Sequence, residues 1–376
     1  MNKNKEYKAK DLEKLIHVIN LEAINLPEFR EVRGKDWVNF GVRNLFPVKL
    51  VELLNTSAIH NTAVQAKLDA TIGEGIRIIG DDIVNPNGET LNEVYEKAAL
   101  DYLVFGGYAF NPIWNRAGDK IVELYHLPMA NIRSGKLNED DQIDEYYYSA
   151  NWENVRKYKP TRYAAYSMTN NKGDNASQIF YNFNYSPGLE VYPLPSYMGA
   201  VNDIELDARI SRFHNANISN GMSPSLFINM PNGMPSPDEQ RSMYRDLVDS
   251  FSSENNAGRI FLSFSDGAEL APQINAVDSP NDDYYIVFEE RITSRILTAH
   301  RITSPMLVGI RDGGGLGNNA EELEVAYTHF LSTVIAPIQK VLNKSFTKMT
   351  TQMGLSLPVV IEPAKLNFDK TIEGEV

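Results

Sequence analysis

The 376-residue chain has no cysteine. Disulfides and thiolate metal sites are thereby excluded, and nothing in it calls for an oxidising compartment. No uncharged apolar run nears the roughly 20 residues that cross a bilayer. The N-terminus, MNKNKEYKAKDLEKL, lacks the apolar stretch of a secretory signal, so a cytosolic product is expected. Basic residues are in deficit: 36 Lys and Arg stand against 49 Asp and Glu, for a net charge of −13. Affinity for duplex DNA comes from neutralising phosphates, so a broad, tight DNA grip of the repressor or nuclease kind is disfavoured.

Catalytic signatures are also missing. The glycine run at 313–317 lacks the Gly-Lys-Ser/Thr ending of a phosphate loop. Glu321, Glu322 and Glu324 follow it and would repel phosphate, so it reads as a loop between two helices. The histidines, His17, His60, His126, His214, His300 and His329, show no metal-ligand spacing. They read as scattered surface or satisfied core residues. No Gly-x-Ser-x-Gly elbow occurs. The carboxylate pairs Asp140-Asp141 and Asp282-Asp283 fall in a loop and at a helix start, where solvation and the helix dipole account for them. No catalytic residue, cofactor or metal is expected.

What is present is an alternation of helical and strand periods. Residues 1–35 are charged, with Leu12, Leu15, Ile16 and Ile19 at helical spacing. Residues 46–72 read as one helix opened by Pro47 and closed by Gly73 and Gly75, and IRII at 76–79 as a short strand. Thr90 to Val104 is helical, with Leu91, Val94, Ala98 and Tyr102 on one face. Gly106 to Leu127 has the pattern of a β-hairpin around the turn 115–119. Its Tyr108, Phe110, Trp114 and Tyr125 suit core and cross-strand packing. Residues 138–145, NEDDQIDE, form an acidic loop before a Tyr146–Tyr148 strand, and 149–190 alternates strand-like pieces with polar loops.

Past Pro193 and Pro195 the character changes. Residues 199–219 are helical, with Leu206, Ile210 and Phe213 in one stripe. SLFIN is a short strand. Ser236, Pro237 and Glu239 mark a helix start, RIFLSF is a strand, and Asp282 to about Ile302 is again helical. Residues 303–319 form a glycine-rich loop. A last long helix runs from Ala320 to about Asn343, apolar at Leu323, Tyr327, Phe330, Leu331, Val334 and Ile338, with Pro337 expected to kink it. The composition and this alternation give an α+β fold.

The order of these elements, with several local phrases, resembles the portal proteins of tailed bacteriophages. Arg212-Phe213-His214-Asn215, followed by Ile218 through Ile228, is similar to a first stem helix entering a clip strand. Asn255 to Leu262 is similar to the turn and strand after a clip helix. Ile302-Thr303-Ser304-Pro305-Met306-Leu307-Val308-Gly309 is similar to the end of a second stem helix, and Asn318 to Glu322 to the exit of the loop that follows. Phe330 through Pro337 to Leu342 resembles a helix with a late proline. Gly106 to Pro128 resembles the wing hairpin. The likeness spans about residues 46–345.

The resemblance implies a portal fold: an N-terminal arm (1–45), a mixed α/β wing (46–198, with an insertion at 138–190), stem helix 1 (199–220), a small α/β clip (221–278), stem helix 2 (279–302), a tunnel loop (303–319), a long kinked wing helix (320–345) and a short crown or tail (346–376). It further implies a self-assembled ring, commonly a dodecamer, made in the bacterial host cytoplasm and placed at one capsid vertex of the virion. Its implied partners are the terminase large subunit, a head–tail adaptor, the major capsid or scaffold protein, and double-stranded DNA passing through the channel, with no membrane. Within the tunnel loop the residues implied to meet DNA are Arg311, Asp312, Gly313, Gly314, Gly315, Asn318 and Asn319. An acidic subunit suits a conduit, whose walls must not hold DNA. Two other readings stay open at this point: another head–tail structural protein, such as an adaptor or minor head protein, and a polymer hydrolase with acidic residues in the insertion.

Overall fold

The computed structural model describes residues 29–219, 226–230, 235–251, 260–264, 282–310, 320–355 and 358–361. Its main body is built around one mixed sheet. In chain order the elements are β1 (Phe29–Glu31), β2 (Val38–Phe40), α1 (Phe46–Thr56), α2 (Ala58–Ile72), α3 (Leu91–Phe105), β3 (Gly107–Trp114), β4 (Ile121–Leu127), β5 (Ile132–Ser134), β6 (Glu145–Tyr148), β7 (Thr161–Ala165) and β8 (Gln178–Phe183). Then come α4 (Val201–Ser219), β9 (Leu226–Met230), α5 (Pro237–Phe251), β10 (Ile260–Phe264), α6 (Asp282–Ala299), α7 (Ala320–Phe330) and α8 (Ala336–Gln352). The α+β expectation holds.

The six-stranded sheet runs in the order β4-β3-β8-β7-β6-β5. All its pairings are antiparallel except β7 with β8, which is parallel. The expected hairpin is present as β3 and β4, with an irregularity between Ile113 and Trp114. Segment 138–190 supplies β6, β7 and β8, and β8 lies beside β3 inside the sheet. This stretch is therefore part of the six-stranded sheet. β9 and β10 form a separate parallel pair, Leu226 to Met230 against Ile260 to Phe264, with α5 between them in sequence.

Helix ends follow the sequence closely where caps are local. Thr90 and Glu93 form a reciprocal capping box at the start of α3. Ser236 and Glu239 bond reciprocally at the start of α5. Gly106 ends α3 in the left-handed region at φ 82. A side chain there would also meet the Leu194 carbonyl oxygen at 2.4 Å, so only glycine fits.

Four expectations are corrected. Residues 29–31 are a strand paired with 38–40, so the helical reading of 1–35 fails at its end; residues 1–28 lie outside the described residues. The helix expected over 46–72 is two helices broken at Ser57, whose backbone is extended. Its hydroxyl accepts from the His60 N–H and donates to Asp207 Oδ2 at 2.6 Å. This alternative bonding beats continued helix. Residues 76–79 form turns, not a strand. The Asn92 side chain accepts from the Ile76 N–H at 2.8 Å, and a lone bridge joins Ile76 to Ile361. Finally, the last helix runs to Gln352, and its irregularity precedes the proline: Leu331–Ile335 is a π-helical turn.

The main core joins α1, α2, α3, β3, β4, α4, α6 and α8. Tyr95 and Phe110 pack their rings on Phe346 of α8. Buried Tyr197 donates to the Val104 carbonyl at 2.7 Å, fixing the approach to α4. At the other end, Arg133 is fully buried with no carboxylate partner among the described residues. It donates to the carbonyls of Ala130, Ile132 and Asn44, and to Asn44 Oδ1. Its guanidinium lies 4.8 Å over the Trp152 ring. Burial lowers it to about 10.

Candidate functional site

The glycine-rich loop singled out in the sequence leaves from a small apolar cluster to which the helices after it also contribute. Leu297 and Ile302 at the end of α6, Ala63 and Ala70 of α2, and Phe330, Val334 and Ile335 of the last helix pack together. Leu307, Val308 and Ile310 lie against them. α4 and α6 pack side by side, and Arg295 of α6 approaches Asp203 of α4 at 3.3 Å.

The first limb of the loop is a built turn. Pro305–Val308 is a 3-10 turn opened by the proline and closed by Gly309 at φ 76. Gly309 N–H returns to Met306, and Ile310 N–H to Pro305, each at 3.1 Å. The phrase Ile302 to Gly309 thus encodes a fixed corner. An open groove of 460 Å³ lies beside it, lined by Thr62, Gln65 and Asp69 of α2 and by Leu307, Tyr327 and Phe330. The sequence-assigned residues Arg311, Asp312, Gly313, Gly314, Gly315, Asn318 and Asn319 lie outside the described residues.

Arg301, at the end of α6, holds a left-handed backbone with φ 60. Its guanidinium donates to the Thr333 carbonyl at 3.1 Å. Pro337 stands four residues beyond Thr333 and has no N–H to return to that carbonyl. One end of the loop is thereby tied to the irregular turn of the other.

Beneath the corner, sequence reading missed a buried cluster. His60 Nδ1 and His300 Nε2 are 2.9 Å apart, and both rings pack on Tyr197. The outer nitrogens of the pair have no hydrogen-bond partner among the described residues. Burial, then the nearby Lys67 charge, lowers His60 to about 4. The same causes, then His60 itself, hold His300 well below its ordinary value. Lys67 is itself buried, and burial followed by Arg301 brings it to about 8. The cluster holds two imidazoles away from solvent, and among the described residues no serine, threonine or carboxylate bonds to either ring in the manner of a catalytic triad. Among the described residues no group of three or more His, Asp or Glu is placed to hold a metal ion. No helix of the described residues is long and apolar enough to cross a membrane.

Residues 83–363 match the sequence profile of a family described as phage portal protein. No curated protein sequence matches the chain. Among solved structures, the chain is similar to one in the virion of a native gene transfer agent particle, with a TM-score of 0.53 and 16% identity, covering 86% of this chain and 84% of that one. It is similar to one in the neck of the native particle computed with C12 symmetry, at 0.53 and 16%, covering 84% of each. It is also similar to one in the neck of the empty particle computed with C6 symmetry, at 0.53 and 15%, covering 82% of each. At these identities the likeness is one of fold.

Proposed function

The chain belongs to the phage portal protein family, and from that premise we propose that it forms the ring at one capsid vertex of the virion through which double-stranded DNA is packaged and ejected. Portal proteins are structural head–tail connectors and not enzymes. The observation that carries the proposal is the order of elements inside the matched span. A helix, a parallel strand–helix–strand unit, a second helix packed on the first, a built corner and a long irregular helix follow one another from α4 to α8.

In this reading α4 and α6 are the stem, 221–278 the clip, 303–319 the tunnel loop, and the six-stranded sheet with α1, α2, α3, α7 and α8 as far as residue 345 the wing. Residues 1–45 are the arm and 346–376 the crown or tail. The ring follows from the symmetry named for the similar neck particles, transferred here as part of the proposal. Such a ring would dock the terminase large subunit during packaging and a head–tail adaptor afterwards, and would sit against the major capsid or scaffold protein. The net charge of −13 supports a channel that lets DNA slide. The Arg301 tie and the corner at Pro305–Val308 would hold the loop's root while Arg311 and the glycines meet the passing duplex.

Electron microscopy and mass photometry of the purified chain test this. Closed rings with a central hole wide enough for duplex DNA are expected. A strictly monomeric species at micromolar concentration and low salt overturns it.

A further inference from the structure

Helix α8 carries three lysines and no carboxylate. Lys340, Lys344 and Lys348 recur every four residues, which sets them in one row along the helix. All three are exposed, and none makes an ion pair with a described carboxylate. Like charges at this spacing repel one another. Burial of its stem and then the Lys344 charge lower the Lys348 ammonium. Lys348 is also held in place, 4.5 Å over the Tyr166 ring and 5.4 Å over Phe180. Lys120, also exposed, lies alongside Gly354 just past the helix and lengthens the basic strip. In a chain of net charge −13, a helix face of unbroken positive sign is the exception.

A patch of opposite sign stands across the sheet. The turn between β5 and β6 presents Glu139, Asp140, Asp141 and Asp144, all exposed. Its shape is fixed by Asn138, whose side chain accepts from the Asp140 and Gln142 N–H groups at 2.9 Å and donates to Asp144 Oδ2 at 2.8 Å. None of the four pairs with a described Lys or Arg. The sheet order places this turn at the β6–β5 end. α8 packs on β4, β3 and β8, where Phe346 meets Phe110 of β3 and Lys348 reaches Phe180 of β8.

One subunit therefore carries a basic row on α8 and a separate acidic turn at the β6–β5 end of the sheet. Patches that differ in place and complement in sign can meet between two copies of one chain. Within a ring they meet head to tail, since head-to-tail contacts close into rings when the rotation permits. We propose that the Lys340–Lys344–Lys348 row of one subunit receives the Glu139–Asp144 turn of a second copy of this chain. The inference rests on the ring reading above. The contact sets the order in which neighbours approach, since surface charge governs encounter and register more than final affinity.

The test compares five full-length proteins by mass photometry over a salt series, each checked for parental melting temperature. They are the parent; the row reversal Lys340→Glu, Lys344→Glu, Lys348→Glu; the tip reversal Glu139→Lys, Asp140→Lys, Asp141→Lys; the two combined; and a control of equal charge, Arg156→Glu, Lys157→Glu, Lys159→Glu, at exposed positions elsewhere. Each single reversal is expected to raise the concentration needed for ring formation by about ten-fold at low salt, an effect that fades in high salt. The combination should restore assembly, and the control should not disturb it. If the parent makes no rings, the portal-ring reading itself fails. If it makes rings and the row reversal behaves as the control does, or the combination gives no rescue, the docking proposal is wrong and the ring stands. Rings that persist in the row reversal while retention of a short DNA duplex is lost would assign the row to phosphate and also overturn it.

Discussion

Arg301 donates from its guanidinium to the carbonyl of Thr333 across a 3.1 Å bond, four residues before Pro337, which has no N–H to offer. The left-handed backbone of Arg301 is part of this arrangement, because it turns the chain from α6 into the corner. Arg301→Ala removes the bond and keeps the strained backbone, at a cost of about 1 kcal/mol. Arg301→Gly removes the same bond but relieves roughly 1 kcal/mol of left-handed strain. The glycine variant should thus be near parental in stability and the alanine variant below it. Urea unfolding measures the difference; an alanine variant as stable as the glycine one contradicts it.

The histidine pair makes stability fall in mild acid. His60 is lowered to about 4 in the folded chain, while an unfolded histidine takes its proton near 6.5. Between those values the unfolded state binds more protons, so stability drops as the pH falls from about 7 toward 4. From His60 alone the loss at pH 5 is ~2 kcal/mol, and His300 acts in the same direction. The double variant His60→Leu, His300→Leu should show a flatter pH profile over this range by thermal melting. A profile as steep as the parent's would place the acid sensitivity elsewhere.

Lys67 works at the opposite end of the pH scale. Its folded value of about 8 lies below the ordinary 10.5, so its burial penalty is fully present below pH 8 and is relieved as pH rises toward 10.5. Lys67→Met keeps the stem and removes the charge. It should raise the melting temperature at pH 7 and erase the gain in stability between pH 8 and 10. An unchanged melting temperature at pH 7 would show that the ammonium reaches water.

Arg133 ties β5 to the segment around Asn44 through its planar fork. Arg133→Lys supplies charge but cannot reach the carbonyls of Ala130, Ile132 and Asn44 together. Arg133→Met leaves those acceptors unpaired. Both should lose about 3 kcal/mol or more. Chemical denaturation of the two variants checks this, and full stability of the lysine variant would refute the account.

The loop itself is tested by Arg311→Ala and by alanine at Gly313, Gly314 and Gly315. Either change should leave rings intact and alter DNA packaging or retention, because one removes the cation and the other the backbone freedom of glycine. If both variants package like the parent, the loop has no role toward DNA. If both fail to assemble, it is a connector between subunits.

Local signals were readable and distant ones were not. The Thr90 and Ser236 helix starts and the β3–β4 hairpin carry their determinants within a few residues, and each is found where it is expected. The phrase around Pro305 marked where α6 gives way to a loop, but the corner it forms shows only in the structure. The break at Ser57 was not, because apolar spacing runs through it and the deciding bond reaches Asp207, 150 residues away. Nor was the His60–His300 contact, whose partners are 240 positions apart and have no spacing to betray them. Arg133 looks like any loop arginine until Asn44 and Trp152 close over it. The lysine row was hidden in the opposite way: it falls at the spacing of an ordinary solvated face, and only the sheet order sets it against the acidic turn.

The place of β8 governs how the chain must be made. β3 leaves the ribosome with β4 following at once, so the hairpin can form early. Its other edge, however, waits for Gln178–Phe183. Until then β3 offers an unpaired apolar strand edge to any neighbouring chain, for some seconds at ordinary rates of synthesis. Nascent chains halted before residue 178 should therefore be the form most prone to stick to one another, and the one most in need of a chaperone.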